Sequence, residues 1–301
     1  MKNLILLLYN LDITDIKKIY NNYYFTYQNS NFIVMEYKRD LKQIESLYKL
    51  NKEMLKLGYP VHEIIITRDY NIIFEYDGKN YALMRLNIKE NRLITIKDII
   101  SFNCIINSQI LNDLDNTNWP KYWEKKIDYI EYQFNEVKEN YKIINESINY
   151  YIGIWENAIS YYNDNFNDIN IKKVICHKRL NTNTTLIDFY NPLEYVIDYK
   201  MRDIGEYLKS YVLDKNFTIT EINNILNKLN LSYSSIILLI SRVMFPSLYF
   251  DQYEKIIIDH EEEETIKEII KKHDNYHALI KTIFKKYLNY NIPIIYWILK
   301  N

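Results

Sequence analysis

The sequence predicts an α+β protein of two lobes, a small strand-rich lobe over residues 1–88 and a larger helical lobe over residues 89–301. Three observations predict it. Strand-like runs bounded by turn residues crowd the first third around a single amphipathic stretch. Beyond Leu86, apolar residues recur at intervals of three and four. No stretch rich in Pro, Gly or Ser divides the chain, and no internal repeat is visible.

The first strand signal is Tyr23-Tyr24-Phe25-Thr26-Tyr27, which a turn at residues 28–31 connects to Phe32-Ile33-Val34-Met35-Glu36-Tyr37 as a hairpin. Apolar residues at 41, 44, 47, 50, 54 and 57 then mark a helix with one buried face, stopped by Gly58. Residues 64–67, 72–76 and 81–86 supply further strands, and the pair Asp77-Gly78 is a strong hairpin signal. The resulting order is β-β-α-β-β-β. In the second lobe, positions 127, 130, 134, 137, 141, 144 and 148 alternate spacings of three and four, which predicts one long helix over residues 123–150. Trp119-Pro120 and Trp123 are expected to open and anchor it, and its apolar stripe to lie on the body of the same domain. Residues 155–163, 220–229 and 261–288 read as further helices, and residues 174–208 as strand, turn, strand and helix.

Composition narrows the function. Of 301 residues 48% are hydrophobic, and 38 Lys and Arg balance 39 Asp and Glu to a net charge of −1. No basic excess points to nucleic acid or to an anionic membrane surface. Cys104 and Cys176 match no metal or disulfide spacing and suggest synthesis in a reducing compartment. The apolar run at residues 4–8 is too short for a signal peptide, and no small-residue cleavage site precedes Asp12. The apolar run at residues 236–240 is far below a membrane-spanning length, so the expectation is a soluble chain without a transmembrane segment. The 31 tyrosines and 4 glycines fit the codon bias of an AT-rich genome.

Residues 174–186 carry the functional argument: Val-Ile-Cys-His177-Lys-Arg179-Leu-Asn-Thr-Asn-Thr184-Thr-Leu, followed by Tyr195-Val-Ile-Asp198-Tyr and Arg202-Asp203-Ile204. This layout resembles the catalytic region of aminoglycoside-phosphotransferase-like kinases, in which a strand leads to His-x-Asp, an Asn follows five positions later, and a second strand ends in a metal-binding Asp. A protein-kinase-like two-lobed fold follows from the resemblance, and the β-β-α-β-β-β order suits its amino-terminal lobe. The loop Asp of such enzymes accepts the proton of the attacking hydroxyl, and the Asn and second Asp hold magnesium against the phosphates. Here Arg179 stands at the base position, where a guanidinium stays protonated and cannot act as a base. Thr184 stands at the Asn position, and only Asp198 and Asp203 match the pattern. In the first lobe no glycine precedes Gly58, and the strand expected to carry the phosphate-binding lysine reads Val34-Met35-Glu36-Tyr37, with Lys38 beyond it. Glu45 and Glu53 are the candidates for the helix glutamate of the kinase pattern. A degenerate nucleotide site is expected at His177, Arg179, Thr184 and Asp198, with no catalytic residue, no metal and no cofactor.

Within that group the chain resembles the YutH-type spore coat proteins, relatives of the CotS-type coat proteins. The resemblance rests on Tyr150-Tyr151-Ile-Gly153-Ile-Trp-Glu156-Asn157-Ala158-Ile159, on Cys176-His177-Lys178-Arg179, on Asp198 followed by Arg202-Asp203-Ile204-Gly205-Glu206-Tyr207, and on Arg242-Val-Met-Phe245-Pro246-Ser-Leu-Tyr249-Phe250. Ile292-Pro293-Ile-Ile-Tyr296-Trp297 extends it to the carboxy terminus, with Tyr296 in place of an acidic residue. It implies synthesis in the mother cell during sporulation, deposition in the spore coat and other coat proteins as partners. The competing expectation is an ATP-dependent phospho- or nucleotidyl-transferase with a rearranged site using Asp198 and Lys38. His273 and His277 share a helix face but lack an evident third metal ligand, and Glu261 to Glu264 form an acidic helix start.

Overall fold

The computed structural model describes residues 1–102, 112–168 and 170–300, so Cys104 lies outside the described residues. In chain order the elements are α1 (Lys2–Tyr9), β1 (Lys17–Ile19), β2 (Asn22–Tyr27), β3 (Ser30–Glu36), α2 (Ile44–Lys56), β4 (Glu63–Ile65), β5 (Phe74–Tyr76) and β6 (Lys79–Leu86). There follow α3 (Ile96–Ser101), α4 (Trp119–Val137), α5 (Lys142–Asn165), β7 (Lys173–His177), α6 (Leu186–Phe189), β8 (Tyr195–Tyr199) and α7 (Met201–Tyr211). The remainder is helical: α8 (Ile219–Asn227), α9 (Tyr233–Met244), α10 (Ser247–Ile258), α11 (Lys267–Ile270), α12 (His273–Tyr287) and α13 (Tyr296–Lys300). The chain divides into two compact units. The first comprises Met1–Ile94, residues 112–115 and Asn183–Ile197; the second comprises residues 95–102 and 116–182 together with Asp198 onward.

The first unit is built on an antiparallel sheet in the order β1-β2-β3-β6-β4, with β5 also paired to β6. The β2–β3 hairpin registers Phe25 with Phe32, and β3 against β6 sets Val34 opposite Leu83 and Glu36 opposite Tyr81. The Asp77-Gly78 turn holds both residues at positive φ, 53° and 68°, as a two-residue hairpin loop with the right twist requires. One sheet face buries Phe25, Phe32, Val34, Phe74, Tyr81 and Leu83 against Ile5 of α1 and Ile13. In sequence the apolar start of the chain is only a run too short for a signal peptide, and neither α1 nor β1 is predicted there. Their purpose is tertiary: α1 is a cover for this sheet face. The alternate residues Ile33, Ile64 and Met84 are also buried, so apolar side chains leave both faces of the central strands. Helix α2 buries Leu47, Leu50 and Met54. Its buried Asn51 donates from Nδ2 to the His62 carbonyl at 2.7 Å and accepts the Ile64 N–H at 3.0 Å, which fixes α2 to β4.

In the second unit the expected long helix is two helices. A 3₁₀ turn at Lys138–Asn140 ends α4, and Tyr141 is extended at φ −130° and ψ 87° before α5 begins. Ile127, Ile130, Phe134, Ile144 and Ile148 are buried as expected, whereas Val137 and Tyr141 flank the break half-exposed. No local glycine or proline marks the break. The start of α5 is secured from 119 residues away, where Glu263 Oε1 accepts the Ile144 N–H at 2.9 Å. The expected helix at 155–163 is the continuation of α5, and the one at 261–288 is a 3₁₀ turn followed by α11 and α12. Tyr233–Ile258 has the length and hydropathy, 1.4, to cross a membrane, but it is broken at Phe245-Pro246 and its most apolar window is 72% buried within the protein. These residues are the core: Ile236, Ile237, Leu239, Val243, Tyr249 and Phe250 are each at most 1% exposed.

Candidate functional site

Strand β7 carries the buried run Val174-Ile175-Cys176 through the second unit and ends at His177, which is buried. The His177 backbone N–H donates to Asp203 Oδ1 at 2.9 Å, and its Nδ1 lies 2.7 Å from Asp203 Oδ2. A carboxylate accepts, so Nδ1 carries the proton, and the Phe102 ring packs 5.0 Å from the imidazole. Asp203 stands in the first turn of α7, where negative charge also suits the helix dipole.

Asp198, at the end of β8, is wholly buried and both of its oxygens are engaged. Oδ1 accepts the Tyr199 N–H at 2.7 Å, and Oδ2 accepts Arg202 Nη1 at 2.8 Å. The same guanidinium donates from Nε to the His177 carbonyl at 2.8 Å and from Nη2 to the Lys178 carbonyl at 2.9 Å. Arg202 therefore ties the end of β8 to the loop after β7. Its planar fork of donors is the reason one side chain can serve three acceptors in different directions. Burial pushes the Asp198 carboxyl above its ordinary value against the pull of Arg202 and Arg242. Burial also disfavours the charge on Arg202, but Asp198 and Glu206 outweigh it and hold the guanidinium protonated. Loss of Arg202 would leave Asp198, which is wholly buried, without a counter-charge at hydrogen-bond distance.

The other sequence-predicted positions belong partly to the first unit and partly to the second. Arg179 is exposed, its Nη1 3.5 Å from Asp251 Oδ2 of α10. Burial raises the Asp251 carboxyl, with Arg179 and Lys126 pulling it down. Thr184 belongs to the first unit, where its carbonyl accepts the Ile94 N–H at 3.0 Å. Lys38, also in the first unit, is exposed and stands 3.7 Å from Glu36 Oε2, while Lys79 lies 3.6 Å from Glu36 Oε1. Glu45 is exposed and Glu53 half-buried on α2. His273 and His277 stack with ring centroids 6.4 Å apart, and no group of three or more potential ligands for a metal ion occurs among the described residues.

A charged cluster that sequence reasoning did not assign lies nearby. Glu206 of α7 accepts from Lys209 Nζ at 3.0 Å, from Arg242 Nε of α9 at 2.9 Å and from Ser247 Oγ of α10 at 3.2 Å. Lys209 is 1% exposed, and its Nζ also donates to the Phe245 carbonyl at 3.1 Å and to Ser247 Oγ at 2.8 Å. Burial lowers the Lys209 amine to about 8, with Glu206 opposing. Burial disfavours the Glu206 charge, but Lys209 and Arg242 prevail and bring it to about 2. The sequence did carry a signal for this cluster: Arg242 interrupts the apolar run of α9, and a charge there has to be paired.

An antiparallel sheet with one amphipathic helix, a strand-borne histidine held by an aspartate, and a second strand ending in a buried aspartate define a protein of the aminoglycoside-phosphotransferase-like kinase fold. Solved structures agree. An aminoglycoside phosphotransferase from Alicyclobacillus acidocaldarius subsp. acidocaldarius DSM 446 matches with a TM-score of 0.66 at 7% identity, over 96% of this chain and 97% of that one. The AMP-bound spectinomycin phosphotransferase matches at 0.61 and 14%, over 94% and 96%, and a microcompartment-associated aminopropanol kinase at 0.54 and 10%, over 96% and 97%. At such identities the likeness is one of fold. The sequence profile described as "Spore coat putative kinase YutH" matches residues 2–283, and the chain belongs to that family. The endospore coat-associated protein YutH of Bacillus subtilis (strain 168) is 27% identical over 273 residues, 80% of each chain.

Proposed function

We propose that this protein is a kinase-fold component of the endospore coat that acts by binding other coat proteins and does not transfer phosphate. One observation carries the reading: the carboxylate best placed by sequence to hold magnesium, Asp198, is buried and held by Arg202 and the Tyr199 amide. A metal ligand must offer a lone pair to a cation, and the Arg202 guanidinium occupies that role here. Arg179 at the base position supports the same reading, because a general base alone contributes about 10² to 10⁴ in rate. The coat association in the Bacillus subtilis relative's name supports synthesis in the mother cell and a place in the coat.

The test is thermal unfolding with and without ATP and magnesium. A nucleotide at about 100 times its Kd would add roughly 2.7 kcal/mol of stability, an easily read shift. The proposal expects none. A magnesium-dependent shift that is absent from a folded Asp198→Ala protein would refute it and favour a transferase built on Asp198. In a sporulating host lacking the native gene, Arg179→Ala is expected to preserve coat localisation and germination.

A further inference from the structure

The second unit contains a cavity of about 400 Å³ beside the loop that carries Lys178 and Arg179, a size suited to a small molecule. Lys126, Lys178, Arg179, Arg202 and Arg242 line it, against the carboxylates of Glu206 and Asp251. Among the lining side chains five cations thus stand against two carboxylates. The cavity is electropositive.

Arg242 gives the cavity a chemical direction. It is 6% exposed, with Nε bound to Glu206 and its guanidinium carbon 5.5 Å from the centroids of both Trp119 and Trp123. Its Nη1 is buried with no hydrogen-bond partner among the described residues. A buried guanidinium N–H without an acceptor is unfavourable, and Arg202 nearby adds like-charge repulsion; burial first, then Arg202, lower the Arg242 pKa. The side chain cannot easily withdraw. Gly205 lets its stem cross α7, and a Cβ at 205 would stand 2.9 Å from Arg242 Cγ. Arg242 lines the cavity, and an oxyanion seated against it would supply the acceptor that Nη1 lacks and relieve the repulsion between two guanidinium groups.

We propose that this cavity binds a small molecule bearing an oxyanion, a phosphate ester or a carboxylate, with Arg242 Nη1 as its buried donor and Lys178 and Arg179 adding charge from the exposed side. The proposal involves the second unit alone and stands whether or not the protein uses nucleotide.

Calorimetric titration at constant ionic strength, without nucleotide or magnesium, tests it. The probes are inorganic phosphate, citrate as the carboxylate, and spermidine as a cationic counterpart. Saturable binding of phosphate or citrate is expected, the tighter of the two assigning the head group, and no binding of spermidine. Arg242→Gln should weaken the anion about tenfold or more, the scale of a lost charge-assisted hydrogen bond. Lys178→Gln combined with Arg179→Gln, both at exposed positions, should weaken it severalfold and lower its salt sensitivity, and it decides the matter if Arg242→Gln fails to fold. Absence of phosphate and citrate binding up to about 10 mM overturns the proposal. So does anion binding unchanged in the variants, or spermidine binding in place of the anions.

Discussion

Replacing Asp198 with Asn distinguishes a structural carboxylate from a metal ligand. In the folded protein Asp198 is wholly buried, Arg202 is 8% exposed, and they meet at 2.8 Å. Asn keeps the shape and a carbonyl acceptor but removes the charge that faces Arg202. Breaking a buried pair by removing one partner typically costs about 3–5 kcal/mol. Two features here favour the lower end: Arg202 keeps its bonds to the His177 and Lys178 carbonyls, and Glu206 also acts on its charge. The expected loss is therefore about 3 kcal/mol, a large part of the 5–15 kcal/mol that usually holds a domain folded. Urea unfolding in the presence of a chelator measures it as a shift in midpoint at constant slope. The double variant Asp198→Asn, Arg202→Met should lose less than the sum of the two single variants, since neither partner is then left stranded. A carboxylate awaiting a metal gives the opposite sign, because neutralising it in metal-free protein removes an unfavourable buried charge. A loss below about 1 kcal/mol, or a gain, would refute the Arg202 clamp as the purpose of Asp198.

Gly205→Ala should destabilise the protein by about 1–3 kcal/mol, although Ala is normally the better helix former, because its Cβ would strike the Arg242 stem; thermal unfolding reads the sign. His62 accepts the Asn87 N–H at Nδ1 and donates from Nε2 to the Ile187 carbonyl, an arrangement for neutral imidazole, and burial lowers its pKa from 6.5 to about 4. Between those values the unfolded chain binds the extra proton and the folded one does not, so stability should fall as pH drops from 6.5 to about 4, by about 3 kcal/mol. His62→Gln should flatten that part of a pH series of urea midpoints, and an unchanged slope would argue against the buried neutral ring. Phe134→Ala, at a site 8% exposed on the buried face of α4, should cost about 3–5 kcal/mol, whereas a near-neutral result would mean that the stripe is not core.

What the sequence determined by itself was local chemistry. The β-branched and aromatic run at residues 32–37, the Asp77-Gly78 turn and the apolar stripe of α2 each contain their own instruction, because side-chain shape, side-chain period and backbone freedom act over a few residues. The order of residues from Val174 to Asp203 likewise resembles that of the kinase-like fold, and the resemblance assigns Arg179 to the base position. Tertiary structure decided the rest. The break between α4 and α5 has no local breaker and depends on Glu263, more than a hundred residues away. The apolar start of the chain became α1 only because the sheet offered it a face to cover. Asp198 reads identically in sequence as a metal ligand or as half of an ion pair, and only the fold of α7 against β8 brings Arg202 onto its carboxylate. Arg242 shows the same limit, since a lone arginine in an apolar helix signals a required partner without naming it. Periodicity reports which face of an element is buried, whereas the identity of what it meets depends on contacts that only chain folding creates.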